Sequence, residues 1–121
     1  MVLHESAENY LETILILSER QGHVRSIDIA TELNFSKPSV SVAMKNLRQK
    51  EYITVDSGGY ISLTDTGLEI ARSVFERHQI ITDFFTALGV DPEVAAEDAC
   101  RMEHVISEES FDALKKHVAK L

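Results

Sequence analysis

The chain has 121 residues, 44% of them apolar and 26% charged, with a net charge of −8 at neutral pH. That balance is too apolar for a disordered chain and long enough only for one compact domain or two small ones sharing a core. No run of about 18 apolar residues occurs, the start MVLHESAENY lacks the basic and apolar segments of a secretion signal, and a single cysteine cannot staple an extracellular fold, so no membrane span and a cytoplasmic location are expected.

Residues 5–20 (ESAENYLETILILSER) place Tyr10, Leu11, Ile14, Leu15 and Leu17 at helical spacing, with Ser6 as the N-cap and Gly22 suited to a left-handed stop. Ser26 is positioned to cap a short helix through Leu33, with Asp28 near the positive end of its dipole. Asn34 and Phe35 make a turn, Ser36 caps a second helix, and Pro38 lies in that helix's first turn, where a missing N–H costs nothing. Val40, Ala43, Met44 and Leu47 give the second helix an inward stripe. Two short helices joined by a tight turn, the second basic and rich in small hydroxyls, predict a helix-turn-helix.

Tyr52 to Val55 and Tyr60 to Leu63 are β-prone and flank Ser57-Gly58-Gly59, which predicts a hairpin serving as the wing of a winged helix. Thr64 then caps a long helix running to about Leu88, with Gly67 in its first turns. Asp91 and Pro92 open a helix reaching about His104, and Ser107 precedes a last helix ending near Leu121. The expected fold is mainly α: an N-terminal winged helix-turn-helix over residues 1–63, then a helical domain over residues 64–121.

The acidity is uneven. Residues 1–63 carry a net −2 and residues 64–121 a net −6, while Asn34 to Lys50 contains Lys37, Lys45, Arg48 and Lys50 and no acid. Phosphate contact depends on the charge of the docking face and not on the total, so double-stranded DNA is the expected partner. Ser36, Lys37, Pro38, Ser39 and Ser41 line the leading edge of the second helix. Ser39 and Ser41 are suited to base edges and Pro38 to a thymine methyl, whereas Lys45, Arg48, Lys50 and Arg25 suit phosphates. Capping explains the Ser36 hydroxyl equally well. No arginine is placed for bidentate base contact, so DNA shape is expected to share in specificity.

In the second half, DACRMEH holds the single cysteine. On a helix Cys100, Glu103 and His104 stand at i, i+3 and i+4 and project from one face. A thiol, a carboxylate and an imidazole converging there suit a metal, although a lone thiol is also an ordinary packing group. His78, flanked by polar residues, and Asn9 and Glu12, at i and i+3 near the chain start, offer further donors. A thiol–imidazole nucleophile would need an orienting third group and an oxyanion hole; no motif supplies either, so no enzyme is expected.

From Glu8-Asn9-Tyr10-Leu11-Glu12 through Asp28-Ile29-Ala30, Leu63-Thr64-x-x-Gly67, Arg77-His78 and the Cys-x-x-Glu-His signature, nearly the whole chain resembles the iron-dependent repressors of the diphtheria toxin repressor family. It is also similar to that family's shorter branch, the manganese transport regulators. The resemblance implies a homodimeric, metal-dependent repressor that binds a palindromic operator and controls metal homeostasis genes. It further implies Cys100, Glu103 and His104 as primary ligands, Asn9 and Glu12 as first-helix ligands, and His78 at a second or shared site. Three features depart from the pattern. Asn9 stands where relatives have a thioether or a carboxylate, Thr82 and Ala96 replace the donors of an ancillary site, and the chain stops before an SH3-like third domain.

The mixed donor set suits Fe(II) first and Mn(II) second, with Zn(II), Co(II) or Ni(II) able to substitute in vitro. Phe84, Phe85, Leu88, Val90, Val94, Phe111 and Leu114 offer apolar helix surface for a two-fold dimer. The competing expectation is a winged-helix transcription factor that answers to an organic ligand or to oxidation of the thiol. If Cys100 and Glu103 are ligands, Cys100→Ala and Glu103→Ala each weaken metal binding by about tenfold or more in calorimetric titration; unchanged isotherms would show that the wrong face had been chosen.

Overall fold

The computed structural model describes residues 5–121. It divides into two compact units, Met1–Arg72 and Ser73–Leu121, and the boundary falls inside a continuous helix. The first unit contains α1 (Glu5–Gln21), α2 (Ser26–Leu33), α3 (Lys37–Gln49), β1 (Ile53–Val55), β2 (Ile61–Leu63) and the first turns of α4 (Asp65–Ala87).

Its core forms where the apolar periodicities meet. Leu11 and Ile14 of α1, Val24 of the following loop, Ile29 of α2, Val40 of α3 and Ile53 of β1 are all almost fully buried. Each such side chain contributes about 1.5–3 kcal/mol relative to exposure. Gly22, at φ 83°, ends α1 as expected, and Asn34, at φ 56°, makes the left-handed turn between α2 and α3. Ser36 caps α3 by accepting from the Ser39 amide at 3.3 Å, with Pro38 in the first turn.

Two helix starts differ from expectation. Ser6 lies within α1 and is not its cap. Ser26 is the first helical residue of α2, and extended Arg25 occupies the cap position. The Asp28 carboxylate accepts from the Arg25 amide at 2.8 Å, the contact an N3 acid makes to an N-cap residue, which fixes Arg25 in that position.

The wing is an antiparallel pair in which Ile53 faces Leu63 and Val55 faces Ile61. Asp56 Oδ1 accepts from the amides of Gly58 and Tyr60, and Gly59, at φ 81°, closes the turn. The Ile61 amide donates to the Val24 carbonyl at 2.7 Å, fastening the hairpin to the loop after α1. Thr64 then joins three elements: its hydroxyl donates to the Glu51 carbonyl and accepts from the Gly67 amide, and its amide donates to the Tyr52 carbonyl.

The second unit holds the rest of α4, α5 (Pro92–Met102) and α6 (Glu108–Val118). Asp91 and Ser107 cap α5 and α6 as expected. Val74, Ile81, Ala95, Ala99 and Phe111 are buried, and the small Ala95 and Ala99, four apart, make the inward stripe of α5. The helix expected to reach His104 stops at Met102; Glu103 takes the C-cap position and residues 103–105 turn. Of the apolar residues expected on a dimer face, Leu88 and Val94 are exposed, whereas Phe111 is buried within the chain.

The tightest backbone approach is at Gly67, where a Cβ would lie 2.0 Å from the Tyr52 carbonyl oxygen. Gly67→Ala should therefore destabilise the chain by about 1–3 kcal/mol, even though alanine is ordinarily the better helix former. A thermal melt of Gly67→Ala at or above the wild-type midpoint would refute this.

Candidate metal centre and nucleic-acid interface

In the second unit, α4 presents His78 and the turn after α5 presents Glu103 and His104. The Glu103 side chain is completely buried. His78 Nδ1 lies 3.0 Å from Glu103 Oε2, and His104 Nε2 lies 3.3 Å from Oε1. The His104 ring is nearly as buried as the carboxylate, with 2% of its side-chain surface exposed, whereas His78 keeps 28%. Two imidazoles thus approach different oxygens of one carboxylate.

The two contacts are unequal. His78 makes a hydrogen bond to Oε2, but Oε1 accepts none, although His104 is near. A buried carboxylate oxygen without a donor costs about 1–3 kcal/mol or more. Among the described residues His78 and Glu103, but not His104, belong to a group of donor atoms lying within 4.8 Å of one another, the kind of set that a divalent cation satisfies. The residues present fit such a group.

The other expected donors fall in different settings. Cys100 is exposed in the last turn of α5, while Glu103 and His104 are withdrawn from solvent. The early end of α5 explains part of this, because His104 no longer follows the spiral that carries Cys100. On α1, Glu12 is buried, with 6% of its surface exposed, and Asn9 is half-buried. The Thr82 hydroxyl donates to the His78 carbonyl at 2.7 Å, so it serves its own helix.

The nucleic-acid side belongs to the first unit. Arg25, Ser36, Lys37, Pro38, Ser39, Ser41, Lys45, Arg48 and Lys50 are all exposed. The Ser36 hydroxyl also donates to Ser39 Oγ at 2.8 Å, so capping occupies the two hydroxyls at the tip of α3. The Arg25 guanidinium lies 4.3 Å from the centre of the Tyr60 ring, which rests the base of α2 on the wing. The sequence reading omitted two residues that this surface brings forward, Tyr60 and Val42. Val42 is 61% exposed among the hydroxyls and lysines of α3. Its signal was available, since an apolar residue two positions from Val40 and Met44 falls outside the inward stripe.

Residues 2–59 match the model of the iron dependent repressor N-terminal DNA binding domain, and residues 64–121 match that of the iron dependent repressor metal binding and dimerisation domain. The transcriptional regulator MntR of Escherichia coli is 38% identical over 120 residues, covering 96% of this chain and 77% of that protein. An uncharacterized HTH-type transcriptional regulator of Methanocaldococcus jannaschii is 32% identical over 120 residues, covering 98% and 96%. The structure of the manganese regulator SloR superposes with a TM-score of 0.83 at 28% identity, covering 95% of this chain and 54% of that one. The chain therefore spans about half the length of that solved structure. With a DNA binding domain followed by a metal binding and dimerisation domain along almost its whole length, the chain belongs to the iron dependent repressor family of transcriptional regulators.

Proposed function

We propose that this chain is a metal-dependent transcriptional repressor that binds a palindromic DNA operator as a homodimer when a divalent cation occupies the Glu103 centre. The observation that carries this reading is the buried Glu103 carboxylate, approached by two imidazoles and still lacking a donor at Oε1. His78 and Glu103 form the core of the donor set, with His104, Glu12, Asn9 and Cys100 as further candidate ligands. The domain division proposed from the sequence, 1–63 for DNA and 64–121 for metal and dimerisation, accommodates both roles. A regulator of this kind binds without catalysing, and works in the cytoplasm beside the chromosome.

A bound divalent cation supplies positive charge and directional coordination. Coordination of that cation favours the DNA-competent form of the dimer. Moving such an equilibrium from 1:99 to 99:1 takes roughly 5.5 kcal/mol of differential affinity. Carboxylate, amide and imidazole donors suit Mn(II) or Fe(II). The exposure of Cys100 shifts the preference from the Fe(II) expected on the thiol towards Mn(II), which is also the metal of the manganese regulator SloR. Zn(II), Co(II) and Ni(II) remain in vitro substitutes.

On the DNA side, α3 enters the major groove. Ser41 and Pro38 reach base edges, Ser36 and Ser39 hold the helix tip, and Lys37, Lys45, Arg48, Lys50 and Arg25 meet phosphates.

Fluorescence anisotropy with a duplex selected from a random pool should show tight binding with Mn(II) or Fe(II) and at least about tenfold weaker binding in chelator. Equal binding in both conditions would eliminate the metal switch. In the same assay Lys45→Ala should lower the slope of log K against log salt by about one and leave sequence preference intact. An unchanged slope would remove Lys45 from the phosphate contacts.

A further inference from the structure

Arg77 precedes His78 on α4, and no role in the metal centre follows from its residue type. Its Nη1 nonetheless donates to two backbone carbonyls, those of Glu103 at 3.3 Å and Ile106 at 3.1 Å. The guanidinium also lies 5.4 Å from the centre of the buried Phe111 ring. Three contacts therefore fix one side chain: two carbonyls at the negative end of α5 and the turn beyond it, and one aromatic face.

Two consecutive residues of α4 thus grip the same residue, Arg77 by its main-chain carbonyl and His78 by its carboxylate. We infer that Arg77 is a positioning residue of the metal centre, holding the 103–106 turn so that the Glu103 carboxylate meets His78 before any cation arrives. The reason is entropic. Glu103 and His104 stand just past the end of α5, where the continuous helical ladder gives way to a turn in which the Val105 and Ile106 amides both donate to the Met102 carbonyl. A ligand on an untethered turn must be ordered by the cation itself, at the expense of affinity, whereas a tethered one is ordered in advance. A guanidinium suits the task because its charge complements the carbonyl dipoles and its nitrogen carries two N–H bonds, one for each acceptor.

This inference rests on the metal reading of the Glu103 centre, and the experiment separates the two. The wild-type chain, Arg77→Gln, Arg77→Lys and Lys115→Gln are titrated calorimetrically with Mn(II). The electron paramagnetic resonance spectrum of the bound ion and the circular dichroism of the metal-free chain are recorded alongside. Lys115 pairs with Glu76 at 2.8 Å within the same unit, so its loss disturbs an ion pair there without touching the turn.

Arg77→Gln is expected to lower Mn(II) affinity by about tenfold or more and to broaden the spectrum, at a temperature where the metal-free variant keeps wild-type helix content. Arg77→Lys is expected to fall between Arg77→Gln and wild type, and Lys115→Gln to stay within about twofold of wild type. Wild-type affinity and spectrum in Arg77→Gln would overturn the inference, as would an equal loss in Lys115→Gln. If Arg77→Gln does not fold, Arg77→Lys decides: affinity below wild type supports the positioning role and wild-type affinity overturns it. A wild-type chain that takes up no Mn(II) would fail the metal reading itself, and this inference with it.

Discussion

The carboxylate of Glu103 is the constraint around which the second unit is arranged. A fully buried anion is among the most expensive groups a protein can carry, and it persists only where its surroundings repay the desolvation. Here one oxygen has a hydrogen bond from His78, and the other has none despite the nearness of His104. The turn that bears the carboxylate is held from α4 through Arg77, and α6 contributes the Phe111 ring beneath that guanidinium. The packing of this unit thus leaves one oxygen of a buried carboxylate without a hydrogen bond, with an imidazole nitrogen 3.3 Å away.

The first unit solves a different electrostatic problem. The chain as a whole is acidic, yet α3 offers Lys37, Lys45 and Arg48 to solvent with no carboxylate on the helix, and Lys50 follows at its C-cap. The anionic groups are kept to other elements, most heavily in the second half. Such segregation lets a protein of net −8 approach a polyanion through one face, because screening limits the reach of distant acids to about 10 Å at moderate salt. The exposed Val42 and the Arg25–Tyr60 pair give that face apolar and aromatic features beside its charges.

Much of this fold could be read from residue types because local chemistry decided it. Gly22, Asn34, Ser36, Asp91 and Ser107 act at helix ends as their side chains dictate, and the glycine-rich turn between two β-prone triplets forms the hairpin. Where two local solutions competed, residue type misled. Ser26 is a good cap residue, but Asp28 accepts from the amide of Arg25 as the N3 residue of a capping box does, which places the N-cap at Arg25. The end of α5 was hidden because no glycine or proline separates Met102 from His104. The candidate donors were legible as residue types. Their burial was not: whether Cys100 or Glu103 is withdrawn from solvent depends on packing that the seven residues DACRMEH do not encode alone. Arg77 is legible in the sequence as part of the Arg77-His78 pair, but its contacts are not, since its acceptors are main-chain carbonyls.

Thr64 has a consequence for motion. Its single hydroxyl bridges the carbonyl just after α3 and the amide in the first turn of α4, while its own amide reaches the carbonyl of Tyr52, whose amide in turn bonds to Leu47. The end of the reading helix, the root of the wing and the start of α4 are therefore stitched through one residue, and none can fray alone. In hydrogen-exchange terms, the amides of Tyr52, Thr64 and Gly67 are therefore expected to open together. A threonine at the base of the wing thereby ties the ends of two helices and a hairpin to one another.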